Sequence, residues 1–213
     1  LIWWILCLNV TAGIGVLGQA SAMSQAMFPG HITPVAAAGF VGLMSLFNMG
    51  GRFFWASTSD YIGRRNTYFV FMVLGFVLYC TVPHAGSTGN VALFVICFLV
   101  IISMYGGGFS TVPAYLKDMF GVRYVGAIHG LLLTAWSAAG IFGPVIVNYL
   151  REYNITHGVP KAQAYNNTMY IMAGLLVIGF ICNLLVKAVD ARFHMKDSNE
   201  VGNATAAAAA AKA

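Results

Sequence analysis

A single arginine lies within an apolar stretch of the sequence, in residues 44–65, MSLFNMGGRFFWASTSDYIGRR. A charged side chain at the centre of a bilayer costs about 2.5–3.5 kcal/mol even on the most lenient scale, so such a residue is usually functional. The guanidinium of Arg52 can hold a carboxylate through two parallel hydrogen bonds. At helical spacing Arg52 shares one narrow stripe with Ser45, Asn48 and Ser59. We therefore predict that Arg52 and Asn48 contact an anionic substrate.

A compact charged turn, SDYIGRR, follows this apolar stretch and offers a second explanation for Arg52. Only eight positions separate Arg52 from Asp60, so its long side chain could instead snorkel toward the turn. We predict that Asp60, Arg64 and Arg65 form a gating turn, whose charges contact helix ends in one conformational state only. Simple anchoring of the topology is the alternative role for these charges.

The composition indicates that the solvent of this chain is lipid. Of its 213 residues, 59% are hydrophobic and 8% are charged, whereas an ordinary soluble domain carries about 25% charged residues. The net charge of +5 is scattered between apolar runs, which favours a role in membrane orientation over nucleic-acid binding. The cysteines stand singly and no nucleophile–base pair is present. We therefore predict no cofactor, no metal site, no nucleic-acid partner and no enzymatic activity.

Six apolar segments are long enough to span a bilayer, which takes about 20 helical residues. They cover residues 1–27, 34–57, 67–82, 91–115, 126–150 and 165–189. The linkers between them hold the Pro, Gly, Asn and charged residues that interrupt helices. We predict an all-α membrane protein, with a six-helix transmembrane half-bundle over residues 1–189 and a polar, Ala-rich cytoplasmic tail over residues 190–213.

The distribution of basic residues predicts the orientation of these spans. The second linker, the fourth linker and the carboxyl-terminal tail hold most of the Lys and Arg residues, whereas the other linkers hold only Arg151 and Lys161. The positive-inside rule places the tail and the SDYIGRR turn in the cytoplasm, and we predict Leu1 on the outside. The third and sixth segments have almost no polar side chains, which predicts that they form an outer pair. Two three-helix units, each with a polar pair and an apolar third helix, are typical of an internal repeat.

Four stretches of the chain resemble a known family. They are LNVTAGIGVLGQAS, SLFNMGGRFFWASTSDYIGRR, GGGFSTVPAYLKDMFG and GAIHGLLLTAWSAAGIFGP. With them, residues 1–189 resemble the carboxyl-terminal half of a major facilitator superfamily transporter of the oxalate/formate antiporter family. The SDYIGRR turn is similar to the superfamily's loop motif G-x-x-x-D-[RK]-x-G-[RK]-[RK], from which Ala56 and Tyr61 depart.

The resemblance implies six helices of a twelve-helix carrier, in which the substrate path runs between this half and an amino-terminal six-helix half. The chain opens without an initiator Met, and we expect it to be a fragment. The implied mechanism is alternating access by rocking of the two halves, with antiport or proton symport of a small carboxylate. The predicted partners are this anion, the lipid bilayer of a plasma or inner membrane, and the amino-terminal half. A transport-silent sensor or assembly subunit with the same fold is the alternative function.

The resemblance also implies roles for individual residues. The family's carboxylate-binding arginine matches Arg52. Members that carry oxalate have a lysine in a TAK pattern, where this chain reads Thr134-Ala135-Trp136. Since that positive charge is absent, we favour a monocarboxylate such as formate, lactate or pyruvate over oxalate. Trp136 is predicted to line the cavity as an apolar wall, with helix packing or an interfacial anchor as the alternative.

Four further polar or aromatic residues are candidates for the path. Tyr105 precedes three consecutive glycines and is predicted to donate a hydrogen bond to substrate, with simple packing as the alternative. Asn9 and Gln19 are predicted to line the path from the first span, and helix-to-helix hydrogen bonding is their alternative role. His129 is a candidate for proton coupling, because histidine titrates near neutral pH, or else a structural residue.

Overall fold

A computed structural model describes residues 1–187 and 189, and this part of the chain is helical without a strand. Its elements are α1 (Ile2–Leu17), α2 (Ala20–Met27), α3 (Pro34–Ile62), α4 (Arg64–Ser87), α5 (Val91–Phe120), α6 (Val125–Leu132), α7 (Thr134–Thr156), a short 3-10 helix (Lys161–Gln163) and α8 (Asn166–Leu184). The all-α prediction is confirmed. The predicted tail, residues 190–213, lies outside the described residues.

The helices account for the six predicted membrane spans. Five spans are long and apolar enough to cross a membrane. Counted as one span, α1 and α2, which are bent by 61° between them, bring the number to six and come first in the chain. The fifth span, Val125–Thr156, combines α6 and α7. The helices therefore form an integral membrane bundle, numbered below as spans one to six.

The second and fourth spans, α3 and α5, have the same kinds of cap at their two ends. The side chains of Thr33 and Asn90 each cap the amino end by accepting a bond from a first-turn backbone N–H, at 3.2 and 3.0 Å. At the carboxyl end Gly63 and Gly121 have φ values of 87° and 74°, which residues with a Cβ atom rarely adopt. Local sequence therefore fixes where these two long helices start and stop.

Helix pairing relates the first three spans to the last three. The closest packing joins α3 with α5, α1 with α7, and α4 with α8. In span numbers these pairs are two with four, one with five, and three with six. If spans one, two and three exchange places with spans four, five and six, the pair of two with four becomes the pair of five with one. The pair of three with six stays the same. The secondary contacts, α1 with α8 and α4 with α5, exchange in the same way. This arrangement is the one expected of an internal repeat.

Glycines allow the paired helices to approach at backbone distance. A Cβ atom at Gly15 would lie 3.2 Å from the carbonyl oxygen of Gly143, where α1 meets α7. A Cβ atom at Gly51 would lie 2.7 Å from the carbonyl carbon of Ser103, where α3 meets α5. Small residues at such positions are how membrane helices gain packing energy without a hydrophobic driving force.

The packing of α1 on α7 corrects the predicted side of Leu1. The indole N–H of Trp3 donates to the hydroxyl of Thr134 at 2.9 Å, and Gly15 further along α1 meets Gly143 further along α7. The two helices are therefore parallel, and Leu1 lies at the end of the bundle that also carries the fourth linker. Six spans return the chain to the side on which it starts. The prediction that Leu1 lies opposite the SDYIGRR turn is wrong.

Candidate functional site

Arg52 lies in the interior of α3 with an exposed side chain. At 1.5 Å per residue it is about 27 Å from the amino end of the helix and about 15 Å from its carboxyl end. Among the residues that the structure describes, its guanidinium forms no ion pair with a carboxylate, since both ion pairs found there belong to Arg64. The backbone is held, because the Ser110 hydroxyl donates to the Arg52 carbonyl oxygen at 2.9 Å. The helix therefore holds the Arg52 backbone in place and presents a cation that no described carboxylate neutralises.

An aromatic cluster from α5 and α7 stands next to this cation. Tyr105 interacts electrostatically with Arg52 and lies beside the indole of Trp136. Phe109 links the two aromatic residues, with ring centroids 5.2 Å from Tyr105 and 5.5 Å from Trp136, both edge to face. Trp136 is 46% exposed, so part of its ring is open to a ligand. Arg52, Tyr105 and Trp136, predicted from separate spans, are brought together.

Asn48 and Asn9 lie on two sides of this cluster. Asn48 is one helical turn before Arg52, and its backbone packs against Gly106, the residue after Tyr105. Asn9 on α1 is 7% exposed, and its amide nitrogen has no hydrogen-bond partner among the described residues. Together with Tyr105, Asn9 lines an internal cavity of about 10 Å³, which is close to the lower limit for one water molecule. Asn9 therefore lies behind Tyr105 and not on an open surface.

Gln19 and His129 are not part of the cluster. Gln19 precedes α2 at the bend of the first span, ten residues and roughly 15 Å along the helix axis from Asn9. His129 lies on α6, one turn before its end, and its Nδ1 atom is buried without a hydrogen-bond partner in the part of the chain that the structure describes. The neighbouring Gly126 and Gly130 have open space where a Cβ would be, so the described chain does not use them to pack helices. Path lining by Gln19 and proton coupling by His129 stay predictions.

The residues of the predicted gating turn have different partners within this half. Arg64 pairs with Asp60, donates to the Ser59 hydroxyl, and lies 3.6 Å from a carboxylate oxygen of Asp118 at the end of α5. Arg64 therefore ties the end of the second span to the end of the fourth.

Arg65 is instead bound to the sixth span. Its guanidinium donates to the carbonyl oxygens of Asn183 and Leu184 at 3.2 and 2.8 Å, and the amide of Asn183 donates back to the Arg65 carbonyl at 3.0 Å. Cations at a helix carboxyl terminus also interact favourably with its dipole. Arg65 and Asn183 thus form a clamp between α4 and α8.

The sequence did not indicate three of the residues that complete these sites. Phe109 is one turn after Tyr105 on the same helix face, a spacing that could have suggested it. Asp118 and Asn183 have no such signal, since their contacts depend on which helices pair. In the described part of the chain they are found only from the fold.

Comparisons with known proteins agree with this architecture. A family model described as Major Facilitator Superfamily matches residues 5–211. An oxalate:formate antiporter from Oxalobacter formigenes is 31% identical over 140 residues, which is 66% of this chain and 33% of that protein. The glucose transporter GlcP from Staphylococcus epidermidis is 33% identical over 91 residues, which is 43% of this chain and 20% of that protein. The matched region thus spans a third or less of either relative. No solved structure gives a significant match.

Proposed function

Since the chain belongs to the Major Facilitator Superfamily, we propose that it forms the carboxyl-terminal half of a secondary transporter for a small carboxylate. Transport would proceed by alternating access, as antiport or proton symport. The amino-terminal half would cover the faces that α3 and α7 leave exposed, which carry Arg52 and Trp136. The substrate path would lie between the halves, with Asp60 and Arg64 contacting the other half in one state.

The observation that carries this proposal is the exposed guanidinium of Arg52, which forms no ion pair with a carboxylate in the described part of the chain and acts electrostatically on Tyr105. A unit charge pair at 4 Å is worth about 4 kcal/mol at the effective dielectric near a protein surface. A carboxylate entering between the halves would gain this interaction together with two parallel hydrogen bonds. The Tyr105 hydroxyl can donate a third bond to the same anion. The cost of keeping a charge in the membrane interior is then offset whenever substrate is bound.

The surroundings of Arg52 favour a monocarboxylate over a dicarboxylate. Where a second cation would be needed for a dianion such as oxalate, this chain has Trp136, whose ring packs against Phe109. An aromatic wall offers dispersion contacts to a short apolar tail but no neutralising charge. Formate, lactate and pyruvate each carry one negative charge and are therefore the proposed substrates. The relative named as an oxalate:formate antiporter supports the carboxylate class.

The relative named as a glucose transporter raises the possibility of a neutral sugar as substrate. A sugar would leave the Arg52 charge uncompensated in a low-dielectric path, which is unfavourable. The charge of Arg52 therefore favours a carboxylate over a neutral sugar as the substrate.

Uptake into proteoliposomes tests the proposal. The full-length protein that contains this chain is reconstituted, and uptake of labelled formate, lactate, pyruvate, oxalate and glucose is measured with and without internal carboxylate and with a pH gradient. We expect saturable uptake of at least one monocarboxylate, competed by the others and not by glucose. Stimulation by internal anion identifies antiport, and stimulation by outside acid identifies proton symport. Absence of saturable uptake with all five compounds would favour the transport-silent alternative.

A further inference from the structure

One face of α3 is attached to α5 at four positions around Arg52. Asn48 and Gly51 meet the α5 backbone at Gly106 and Ser103, the Arg52 carbonyl accepts from Ser110, and the Trp55 indole N–H donates to the Ser103 hydroxyl at 3.2 Å. Positions 48, 51, 52 and 55 follow the spacing of neighbours on one helix face. The Arg52 side chain is exposed, while its own backbone takes part in the attachment.

The bond from Ser110 differs from the other three contacts because it acts on Arg52 itself. Its hydroxyl lies 2.9 Å from the Arg52 carbonyl oxygen and 3.0 Å from the carbonyl oxygen of Gly107 in its own helix. A hydroxyl has one proton, so these two carbonyl oxygens share it. Serine in a helix commonly bonds to its own preceding turn, and the Arg52 carbonyl is the acceptor that the second helix contributes. A slide of α3 by one residue, about 1.5 Å, would break it.

We propose that Ser110 is a positioning residue for Arg52. Ser110 and Tyr105 are five residues apart on α5, so a bond from Ser110 to the Arg52 carbonyl fixes the height of the Arg52 backbone, from which the guanidinium extends, relative to Tyr105. A carboxylate bound by both groups requires that height to be constant, because two parallel hydrogen bonds tolerate little misalignment. Thus α3 and α5 move as one unit during transport, and the anion site is preformed. The role of Arg52 in this inference rests on the proposed function.

The glycines of α5 support this view of a rigid helix pair. A Cβ atom at Gly106 would lie 3.0 Å from the Asn48 carbonyl carbon, and one at Gly107 would lie 2.6 Å from the Trp55 Cβ. A Cβ at Gly108 would lie 3.0 Å from the Asn9 amide nitrogen. Neighbouring helices therefore fill the space beside all three glycines, so α5 is closely packed here and has little room to bend.

Transport kinetics of two matched serine variants test the positioning role. Ser110→Ala removes the bond to Arg52, whereas Ser103→Ala removes the bond to Trp55 in the same helix pair and leaves Arg52 untouched. We expect Ser110→Ala to raise the KM for the monocarboxylate about two- to tenfold, the range that a lost hydrogen bond produces, with Vmax little changed. Ser103→Ala should leave KM within twofold of wild type. Ser110→Thr, which keeps a hydroxyl at this position, should likewise have a KM close to that of wild type. Equal effects of both alanine variants, or no effect of Ser110→Ala, would overturn the proposal.

A measurement that does not need transport separates this inference from the proposed function. Spin labels are placed at Ala36 on α3 and Lys117 on α5, which are both exposed, after the four native cysteines are replaced by alanine. Pulsed electron resonance should give one narrow distance in the wild-type background and a broader distribution with Ser110→Ala. A broader distribution with Ser110→Ala, found without any carboxylate uptake, would refute the proposed function and support the attachment of α3 to α5 by Ser110. A raised KM with an unchanged distance distribution would mean that Ser110 contacts substrate directly and would overturn that attachment.

Discussion

Trp136 on α7 meets the edge of Phe109 on α5 with ring centroids 5.5 Å apart. Through Phe109 the indole is connected to Tyr105, and through Tyr105 to the charge of Arg52. Three spans therefore contribute to one surface with a single cation at one end and aromatic rings at the other. The chemistry of this surface leads to the first prediction.

Replacing Trp136 by lysine should improve dicarboxylate binding. A second cation across from Arg52 would complete neutralisation of a dianion, and charge-assisted pairs are the strong ones in a partly dry site. We expect Trp136→Lys to lower the inhibition constant of oxalate for monocarboxylate uptake about tenfold, which corresponds to about 1.4 kcal/mol. Ile141→Lys is the control, because Ile141 is 65% exposed on the same helix outside the cluster. Should both variants behave alike, Trp136 does not face the anion.

The clamp between Arg65 and Asn183 should contribute to stability and not to substrate affinity. Asn183 is fully buried and its amide donates to the Arg65 carbonyl. Asn183→Ala removes this bond and leaves the two bonds from the Arg65 guanidinium to backbone carbonyl oxygens in place. A lost hydrogen bond costs about 0.5–1.5 kcal/mol, and we expect a lower Tm in detergent with an unchanged KM. Asn66→Ala serves as control, since Asn66 is exposed and its side chain, within the described residues, donates to the nearby Ile62 carbonyl at the end of α3. An altered KM with an unchanged Tm would instead assign Arg65 to gating.

The close approach of α3 and α5 should make Gly106 intolerant of a side chain. A Cβ there meets the backbone of Asn48, which cannot move aside as a flexible side chain could. Overpacking of this kind costs about 1–3 kcal/mol, so Gly106→Ala should lower the Tm and the yield of monodisperse protein. Gly174→Ala on α8, where a Cβ would meet open space, should match wild type. Equal behaviour of the two variants would contradict the close contact.

Much of the fold could be predicted from the sequence, because apolar runs of membrane length and the glycines and prolines between them are strong local signals. Arg52 could be found for the same reason, since a charge inside an apolar run is rare. The contacts of Arg64 with Asp118 and of Arg65 with Asn183 could not, because each joins residues far apart in sequence through helix pairing. The predicted side of Leu1 is wrong although the number of spans determines it, because the two spans between Leu1 and the SDYIGRR turn place both on one side.

The binding cluster was predicted in part for a physical reason of the same kind. The prediction of Arg52 rests on a charge in an apolar run, that of Tyr105 on the three glycines that follow it, and that of Trp136 on the family resemblance; the fold brings the three together. The prediction of Gln19 rests on a polar side chain in an apolar span, but Gln19 lies at the bend between α1 and α2. Residue type indicates which side chains need a polar or protein environment, whereas helix register decides which of them share it.

Uptake by the Arg52→Gln variant tests the central claim most directly. Glutamine keeps hydrogen-bonding capacity and removes the charge, so insertion into the membrane should be unaffected. In proteoliposomes, with reconstituted protein matched by immunoblot, we predict that saturable monocarboxylate uptake is lost in Arg52→Gln and partly retained in Arg52→Lys. Uptake by Arg52→Gln with the wild-type KM would contradict the claim and would leave Arg52 as an anchor for the SDYIGRR turn.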